Sequence, residues 1–187
     1  IKDYISSEDP DVIIFFFFNK GVLTEKIIQE TIALCKEAGV ITAVDPKRKN
    51  FFSFKQADIF KPNLKEVKES LNLLIDGINP AQLQKIHAEL HNLLNHQISF
   101  ITLSEKGVFY QHGADAKLIP SHIRNVADVS GAGDTVIAVA SLVYARTKNV
   151  RLMAEVANIA GGLVCEEVGT AAISKEKLLY ECQLLLS

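Results

Sequence analysis

The sequence predicts an α/β fold in which a mainly parallel β-sheet lies between two layers of helices. Short apolar segments alternate with segments of helical periodicity, the first apolar segment is too short for a buried helix, and the last third is helical. The 187 residues are 48% hydrophobic and 22% charged, which is an ordinary globular composition. We therefore expect a single domain over residues 1–187.

The first elements form a strand–helix–strand unit. Residues 11–18 are continuously apolar after Asp11 and predict a central strand covered on both faces. The helix that follows begins after Thr24, which can cap it, and ends at Gly39, which supplies a left-handed stop. Residues 40–44 predict the second strand. Such a unit implies parallel strands.

The remaining elements continue the alternation. Residues 57–60 predict a short strand that ends before Pro62, because proline cannot donate to a sheet ladder. Asn79 precedes a helix with Pro80 at its first position, a favourable place for proline. The other predictions are a helix over 64–71, a strand over 98–103, a small antiparallel edge from 108–111 and 117–120, and helices over about 130–147, 152–168 and 175–186.

Composition and charge exclude several function classes. The formal net charge is −2, so the chain has no electrostatic footprint for nucleic acid. The longest wholly apolar run has seven residues, whereas a membrane-spanning helix needs about 20. Cys35, Cys165 and Cys182 are widely spaced, without metal-ligand spacing, and are expected as small buried residues on helices. We expect a cytoplasmic protein with no nucleic-acid or membrane partner.

The beginning of the sequence suggests a part of a longer polypeptide. The chain has no initial methionine and enters the first strand after a short polar lead-in. Residues 15–18 are four phenylalanines, which are usually core residues in a strand. Where a preceding portion normally covers them, they would form an exposed apolar edge here, and such an edge favours pairing with a second copy. We therefore expect a homodimer.

The most informative segment is residues 128–135, Asp-Val-Ser-Gly-Ala-Gly-Asp-Thr. Gly131, Ala132 and Gly133 leave backbone N–H groups uncovered at the positive end of the following helix, which suits phosphate oxygens. Asp134 lies in the first turn, where its carboxylate can accept a proton from a hydroxyl. An anion site beside a base is what phosphoryl transfer to an alcohol requires. The alternative is a tight turn in which Asp134 only interacts with the helix end.

This segment resembles the second signature of the ribokinase-like (PfkB) carbohydrate kinases, which implies a three-layer α/β/α sandwich and ATP as phosphate donor. The resemblance implies catalysis at Asp134 with the anion hole of Gly131, Ala132 and Gly133. It implies a monovalent cation such as K⁺ near Asp128. The stretches that resemble nucleotide-binding motifs contain Asn63, Glu66, Thr102, Ser104, Gly107, Asn158 and Gly169. Of these, Asn63 and Glu66 would arrange Mg²⁺ through water, and Ser104 stands where many members have glycine.

Within this family, the chain resembles the heptose 7-phosphate kinases. The supporting segments are 19–23, 45–47, 104–107, 134–137 and 169–170 with Ser174. The resemblance implies phosphorylation of the anomeric hydroxyl of D-glycero-D-manno-heptose 7-phosphate, with Lys20, Asp45 and Lys47 as substrate-binding residues. Lys20 and Lys47 follow predicted strand ends, where ligands of open α/β sheets bind. Two departures are residues 16–19, where these kinases usually have an Asp-Tyr pair, and the N-terminal strands and lid, which the sequence lacks.

Two alternatives remain open. The chain could be another PfkB kinase acting on a different sugar or sugar phosphate, or a nucleotide-binding module without catalysis. A third pattern, His87 and His91 at a spacing of four, could in principle hold zinc, but Ala88 stands where the zinc-protease pattern has glutamate. We expect these two histidines to lie on the surface.

Overall fold

The computed structural model describes residues 1–16, 23–74, 78–122 and 124–186. The strands are β1 (Val12–Phe16), β2 (Ile41–Asp45), β3 (Ile59–Phe60), β4 (Ile98–Thr102), β5 (Val108–His112) and β6 (Asp115–Ile119). The helices are α1 (Lys2–Glu8), α2 (Glu25–Ala38), α3 (Leu64–Leu71), α4 (Pro80–Leu94), α5 (Ala132–Thr147), α6 (Val150–Val164) and α7 (Lys175–Leu186). Short 3₁₀ turns cover Arg48–Ser53 and Ser104–Lys106. None of the helices in these ranges is long and apolar enough to cross a membrane.

The six strands form one sheet in the order of the chain, from β1 to β6. Strands β1 to β4 pair in parallel, and β4, β5 and β6 pair antiparallel. The mainly parallel sheet and the antiparallel edge confirm the prediction. The carboxyl ends of β1 to β4 therefore lie at one edge of the sheet, which is where open α/β sheets bind ligands.

Two hydrophobic clusters cover the two faces of the sheet. On one face, Ile98 and Phe100 of β4 pack with α5 and α6, in a cluster that includes Ile137 and Met153. On the other face, Ile101 packs with α2, α3 and α4. Successive strand residues thus serve opposite layers, as the two-residue period of a strand requires. The arrangement confirms the three-layer α/β/α sandwich.

The predicted helix ends are confirmed where a capping residue marks them. The Thr24 side chain accepts a hydrogen bond from the Ile27 amide, and Gly39 ends α2 with φ of 73°. Asn79 caps α4 through Gln82, with Pro80 as the first helical residue. These caps satisfy backbone groups that the helix itself leaves without partners, so they fix where each helix begins or ends.

The apolar run alone predicted a central strand, which is wrong for the described residues, whereas the expectation of an exposed sheet edge at this strand agrees with the topology. β1 pairs only with β2 and forms an edge of the sheet. Phe15 is buried, whereas Phe16 is 37% exposed; residues 17 and 18 lie outside the described ranges. The apolar run reflects burial by neighbours on both faces, because β1 residues belong to or pack against all three hydrophobic clusters.

One helix was not predicted, and another ends earlier than predicted. The polar lead-in before β1 forms helix α1, whose Ile5 is buried against Cys35 and Val40. α6 ends at Val164 rather than at 168, because the amides of Glu166 and Glu167 bond three residues back and tighten the last turn. Cys35 is buried in α2 as expected, but Cys165 is half-buried just after α6, and Cys182 is half-buried.

The prediction of two surface histidines is wrong for His87. His87 is buried where α4 packs on β4, and His91, one turn later, is exposed. The Ser99 hydroxyl lies between the rings, 2.8 Å from His87 Nδ1 and 2.7 Å from Nε2 of the buried His96. Burial lowers the pKa of His87 to about 4 and that of His96 to about 3. The two rings are therefore neutral at pH 7.

Candidate active site

Helix α5 begins at the carboxyl edge of the parallel strands. Gly131 precedes it in the left-handed conformation, with φ of 78°, and Ala132 is its first residue. Among the described residues, no side chain caps this helix. Its first turn carries Asp134, which is exposed together with Gly133. The positive end of α5 is thus available to an anion, with a carboxylate beside it.

Lys61 brings an ammonium group to the same place. It follows β3, its side chain is 3% exposed, and Nζ lies 3.9 Å from where a Cβ on Gly133 would stand. The sequence analysis did not identify Lys61 as a site residue. The available signal was its position directly after a buried strand and two residues before Asn63. A buried cation beside the positive end of a helix strengthens the attraction for phosphate.

Lys61 belongs to a charge cluster of four residues: Asp45, Lys47, Lys61 and Glu66. Asp45 Oδ1 lies 3.3 Å from Nζ of both lysines, and Lys47 Nζ lies 2.9 Å from Glu66 Oε1. Burial acts to lower the pKa of Lys47, but the hydrogen bond to Glu66 and the charge of Asp45 outweigh it and raise that pKa. Asp45 and Lys47, predicted to bind substrate, thus hold each other at the sheet edge.

Asn63 and Glu66 form the capping box of α3. The Glu66 amide donates to Asn63 Oδ1 at 2.8 Å, and the Asn63 amide donates to Glu66 Oε2 at 2.8 Å. Amide and carboxylate oxygens are the ligand types that Mg²⁺ prefers. Because these oxygens already accept hydrogen bonds within the protein, the pair fits a water-mediated arrangement of Mg²⁺ better than direct coordination.

The end of β4 and the turn after it carry three more predicted residues, Thr102, Ser104 and Gly107. Thr102 forms a bridge with Asn63, which joins the turn to the charge cluster. Ser104 has a positive φ of 54°, so the position adopts the backbone conformation for which glycine is usual. Gly107 has φ of 93°, and a Cβ there would overlap the Ile119 carbonyl. Gly107 is therefore required by the fold, whatever else it contacts.

Asn158 lies on α6 and is nearly buried. Its side-chain amide donates to the Pro120 carbonyl at 2.9 Å. The backbone around Pro120 is also what a side chain at Gly107 would strike, so Asn158 and Gly107 border the same stretch of chain. The structure thus brings these two predicted nucleotide-binding residues to one region, and both have a structural role there.

Asp128 connects the segment before α5 to the loop after α6. Its carboxylate accepts hydrogen bonds from the Ser130 amide at 2.9 Å and the Gly169 amide at 3.1 Å. The bond from Ser130, with that from Gly169, lowers the pKa of Asp128. A Cβ on Gly131 would lie 3.0 Å from Thr170 Cγ2, so the two segments are in close contact.

Both oxygens of the Asp128 carboxylate already accept a backbone hydrogen bond, so a monovalent cation near Asp128 stays a prediction. Within the described ranges, no three His, Cys, Asp or Glu side chains are grouped to hold a metal.

Two groups of predicted site residues meet at α5. The charge cluster reaches Gly133 through Lys61, and the loop that holds Asp128 through Gly169 reaches Gly131 through Thr170. Gly107 and Asn158 lie in a third region, around Pro120. Lys20 lies outside the described residues. The arrangement offers a helix N-terminus, a buried ammonium and an exposed carboxylate, which are the groups that stabilise a transferring phosphoryl group and accept a proton.

A cleft of 720 Å³ lies away from this site, at the opposite edge of the parallel strands. Its lining includes Thr42, Asp58 and Gln97 and contains none of the predicted site residues. Asp58 accepts hydrogen bonds from both other side chains. The polar groups at the base of this cleft are therefore paired with one another.

The chain is similar to known proteins over most of its length. The family model described as "pfkB family carbohydrate kinase" matches residues 4–177. The bifunctional protein HldE of Desulfatibacillum aliphaticivorans is 34% identical over 174 residues, which cover 92% of this chain and 35% of that protein. The HldE protein of Helicobacter acinonychis is 34% identical over 180 residues, covering 95% and 38%. The chain spans little more than a third of the length of these relatives.

Solved structures share the fold. Phosphofructokinase-2 from Escherichia coli in complex with potassium superposes with a TM-score of 0.86 and 15% identity, covering all of this chain and 61% of that one. Ribokinase from Arabidopsis thaliana, complexed with ribose and ATP, gives a TM-score of 0.75 and 19% identity over 91% of this chain and 55% of that one. At these identities the likeness establishes the architecture.

Proposed function

Because the chain belongs to the pfkB family of carbohydrate kinases, we propose that it supplies the nucleotide-binding and catalytic part of an enzyme that transfers phosphate from ATP to a sugar hydroxyl. The observation that carries this proposal is the convergence of Lys61 and Asp134 on the uncapped N-terminus of α5. Phosphoryl transfer depends on positioning and on stabilising negative charge, and these groups provide both.

Each group has a separate task in this reaction. Asp134 accepts the proton of the sugar hydroxyl as that oxygen bonds to the terminal phosphorus of ATP, while the bond from this phosphorus to the bridging oxygen breaks and ADP leaves. The backbone N–H groups of Gly133 and its neighbours, with the Lys61 ammonium, stabilise the charge on the phosphate oxygens. Mg²⁺ supplies further neutralisation of phosphate charge, and Asn63 and Glu66 would hold it through water. A monovalent cation at Asp128 would add positive charge beside the turn that precedes α5.

The acceptor that we propose is the anomeric hydroxyl of a heptose 7-phosphate. Support comes from the sequence segments that resemble heptose 7-phosphate kinases and from relatives named bifunctional protein HldE. Lys47 is partly exposed at the sheet edge and keeps a raised pKa, so it can offer a cation to a substrate phosphate. Such an enzyme would work in the cytoplasm, where ATP is available.

A titration and a transfer assay test this function. The chain should bind Mg-ADP and Mg-ATP saturably in calorimetry. A longer polypeptide that contains the chain should transfer phosphate to heptose 7-phosphate in preference to fructose 6-phosphate and ribose. Preference for another sugar would identify a different pfkB kinase. Nucleotide binding without transfer to any sugar would support the non-catalytic module, and a folded chain that binds no nucleotide would overturn the proposal.

We also propose that two copies associate through the β1 edge. The outer side of β1 has no strand partner among the described residues, and Phe16 is 37% exposed beside it. Unpaired edge groups and an adjacent apolar side chain favour strand addition. Light scattering should give the mass of a dimer, and Phe16→Lys should shift it towards a monomer. A wild-type monomer at high concentration would contradict this assembly.

A further inference from the structure

Arg124 joins three segments behind the candidate active site. It lies in the connection from β6 to α5, and its side chain is 9% exposed. Nη1 donates to Glu166 at 2.9 Å and Nη2 donates to Glu181 of α7 at 2.6 Å. The guanidinium lies against α6, because a Cβ on Gly162 would approach Nε to 2.8 Å. A planar fork that binds two carboxylates holds both in fixed directions.

The Glu166 arm of this contact adjoins the turn that supports α5. Cys165, the preceding residue, uses its carbonyl to accept hydrogen bonds from the Ala127 amide at 2.8 Å and the Asp128 amide at 3.2 Å. Three residues after Glu166, the Gly169 amide donates to the Asp128 carboxylate. Arg124 and Asp128 both lie in the connection between β6 and α5, and both contact the turn of residues 165–170.

The ion pair between Arg124 and Glu181 has a different effect, because it holds α7 against the rest of the chain. This helix has no buried residue, so packing alone holds it weakly. Lys177 of α7 also reaches Glu166, at 3.1 Å, and Glu167, at 3.2 Å. Loss of Arg124 would remove the cation that Glu166 and Glu181 share, and Lys177 pairs with Glu166 and Glu167 rather than with Glu181. The contact between α7 and the segment after α6 would therefore weaken.

We propose that Arg124 is a positioning residue for the phosphate site: through Glu166 it holds the 165–170 turn so that Gly169 binds Asp128 and the N-terminus of α5 keeps its direction. The functional part of this inference rests on the proposed kinase activity. The structural part does not, since it concerns a hydrogen bond within the protein. The two parts can therefore be measured separately.

Hydrogen exchange of the Gly169 amide tests the structural part. Arg124→Gln should speed this exchange by about tenfold or more, since the bond to Asp128 opens more often. Arg151→Gln is the matched control, because it removes another arginine–glutamate pair from α6, at an exposed position. Glu166→Gln should have a larger effect on Gly169 than Glu181→Gln. The opposite order, or equal exchange in Arg124→Gln and Arg151→Gln, would overturn the proposal.

Calorimetry with Mg-ADP tests the functional part on the same variants. We expect Arg124→Gln to weaken binding by about tenfold and Arg151→Gln to leave it unchanged. Fast Gly169 exchange with unchanged affinity would reject the positioning role in binding. Absence of binding by the wild-type chain would instead reject the proposed function and leave the exchange result standing. Should Arg124→Gln fail to fold, Arg124→Lys and Glu166→Gln provide the same comparison.

Discussion

Lys61 and Asp45 form an ion pair in which Nζ and Oδ1 lie 3.3 Å apart and the side chains are 3% and 7% exposed. Asp45 ends β2 and Lys61 follows β3, so the pair joins two neighbouring parallel strands at their carboxyl ends. Burying two charges is costly, and a buried pair is weak evidence for stability in itself. Its location beside Gly133 indicates that the pair holds an ammonium group where an anion would bind.

Removal of Lys61 should destabilise the fold. Lys61→Met leaves the buried Asp45 carboxylate with Lys47 alone, so we expect the free energy of unfolding to fall by about 3 kcal/mol. Adding Asp45→Asn should recover part of this loss. Lys26→Met, at an exposed pair with Glu30, should change it by less than about 0.5 kcal/mol. Denaturant titrations measure all three, and equal effects at the two lysines would contradict the buried-pair argument.

Stability should depend on pH through His87 and His96. Their pKa values are about 4 and about 3 in the folded chain, against an ordinary value of 6.5. As the pH falls below 6.5, the unfolded chain takes up protons that the folded chain does not. We therefore expect full stability above pH 6.5 and a loss of about 1 to 2 kcal/mol per pH unit below it.

The pH range from 6.5 to 5 lies above the ordinary titration range of carboxylates. His122, whose pKa is also lowered by burial and by the charge of Arg124, adds to the slope, so the comparison is made in a His122→Gln background. Unfolding by denaturant at pH 7.5, 6.5, 5.5 and 5 would measure the slope. His87→Gln should reduce the slope, since one of the two buried rings is then absent. A flat profile for the wild-type chain over this range would show that the rings are accessible to protons.

The two capping boxes offer a matched comparison for magnesium. Asn63 with Glu66 caps α3, and Asn79 with Gln82 caps α4 away from the site. Asn63→Ala and Asn79→Ala should each lower the free energy of unfolding by about 1 kcal/mol. Only Asn63→Ala should weaken Mg-ADP binding, by about tenfold, if this pair arranges the metal. Equal binding in both variants would restrict Asn63 to helix capping.

Local signals accounted for much of the fold. Helix α2 begins after Thr24 and ends at Gly39 as predicted, because a cap satisfies backbone groups of its own helix. Leu83, Ile86, Leu90 and Leu94 are all buried on one face of α4, as their spacing indicates. His87 lies four residues after Leu83 and three before Leu90, so the same periodicity places it on this face. Its polar side chain favoured a surface position, and the partners that allow its burial, Ser99 of β4 and His96 just before it, are not visible in the helix pattern.

The candidate site was predictable only in part. The small-residue turn and Asp134 were visible as a contiguous motif, whereas Lys61 and Arg124 act through contacts that no local pattern encodes. Lys61 meets Asp45 across 16 positions of sequence, and Arg124 meets Glu166 across 42. For β1, the apolar run shows that both faces of the strand are covered but not which strands lie beside it.

Substitution of Asp134 distinguishes a base from a scaffold residue. Asp134→Asn keeps the size of the side chain but cannot accept a proton, so turnover should fall by about a hundredfold or more while Mg-ADP affinity changes little.

Gly133→Ala provides the contrast. Its Cβ has room in the fold, with Lys61 Nζ 3.9 Å away, so stability should be kept. The added methyl group would obstruct the phosphate and lower both affinity and turnover. Steady-state kinetics with ATP and heptose 7-phosphate, in a polypeptide that shows transfer, would measure both variants. Near-normal turnover of Asp134→Asn would remove the base assignment, because a residue that only interacts with the helix end tolerates Asn at modest cost.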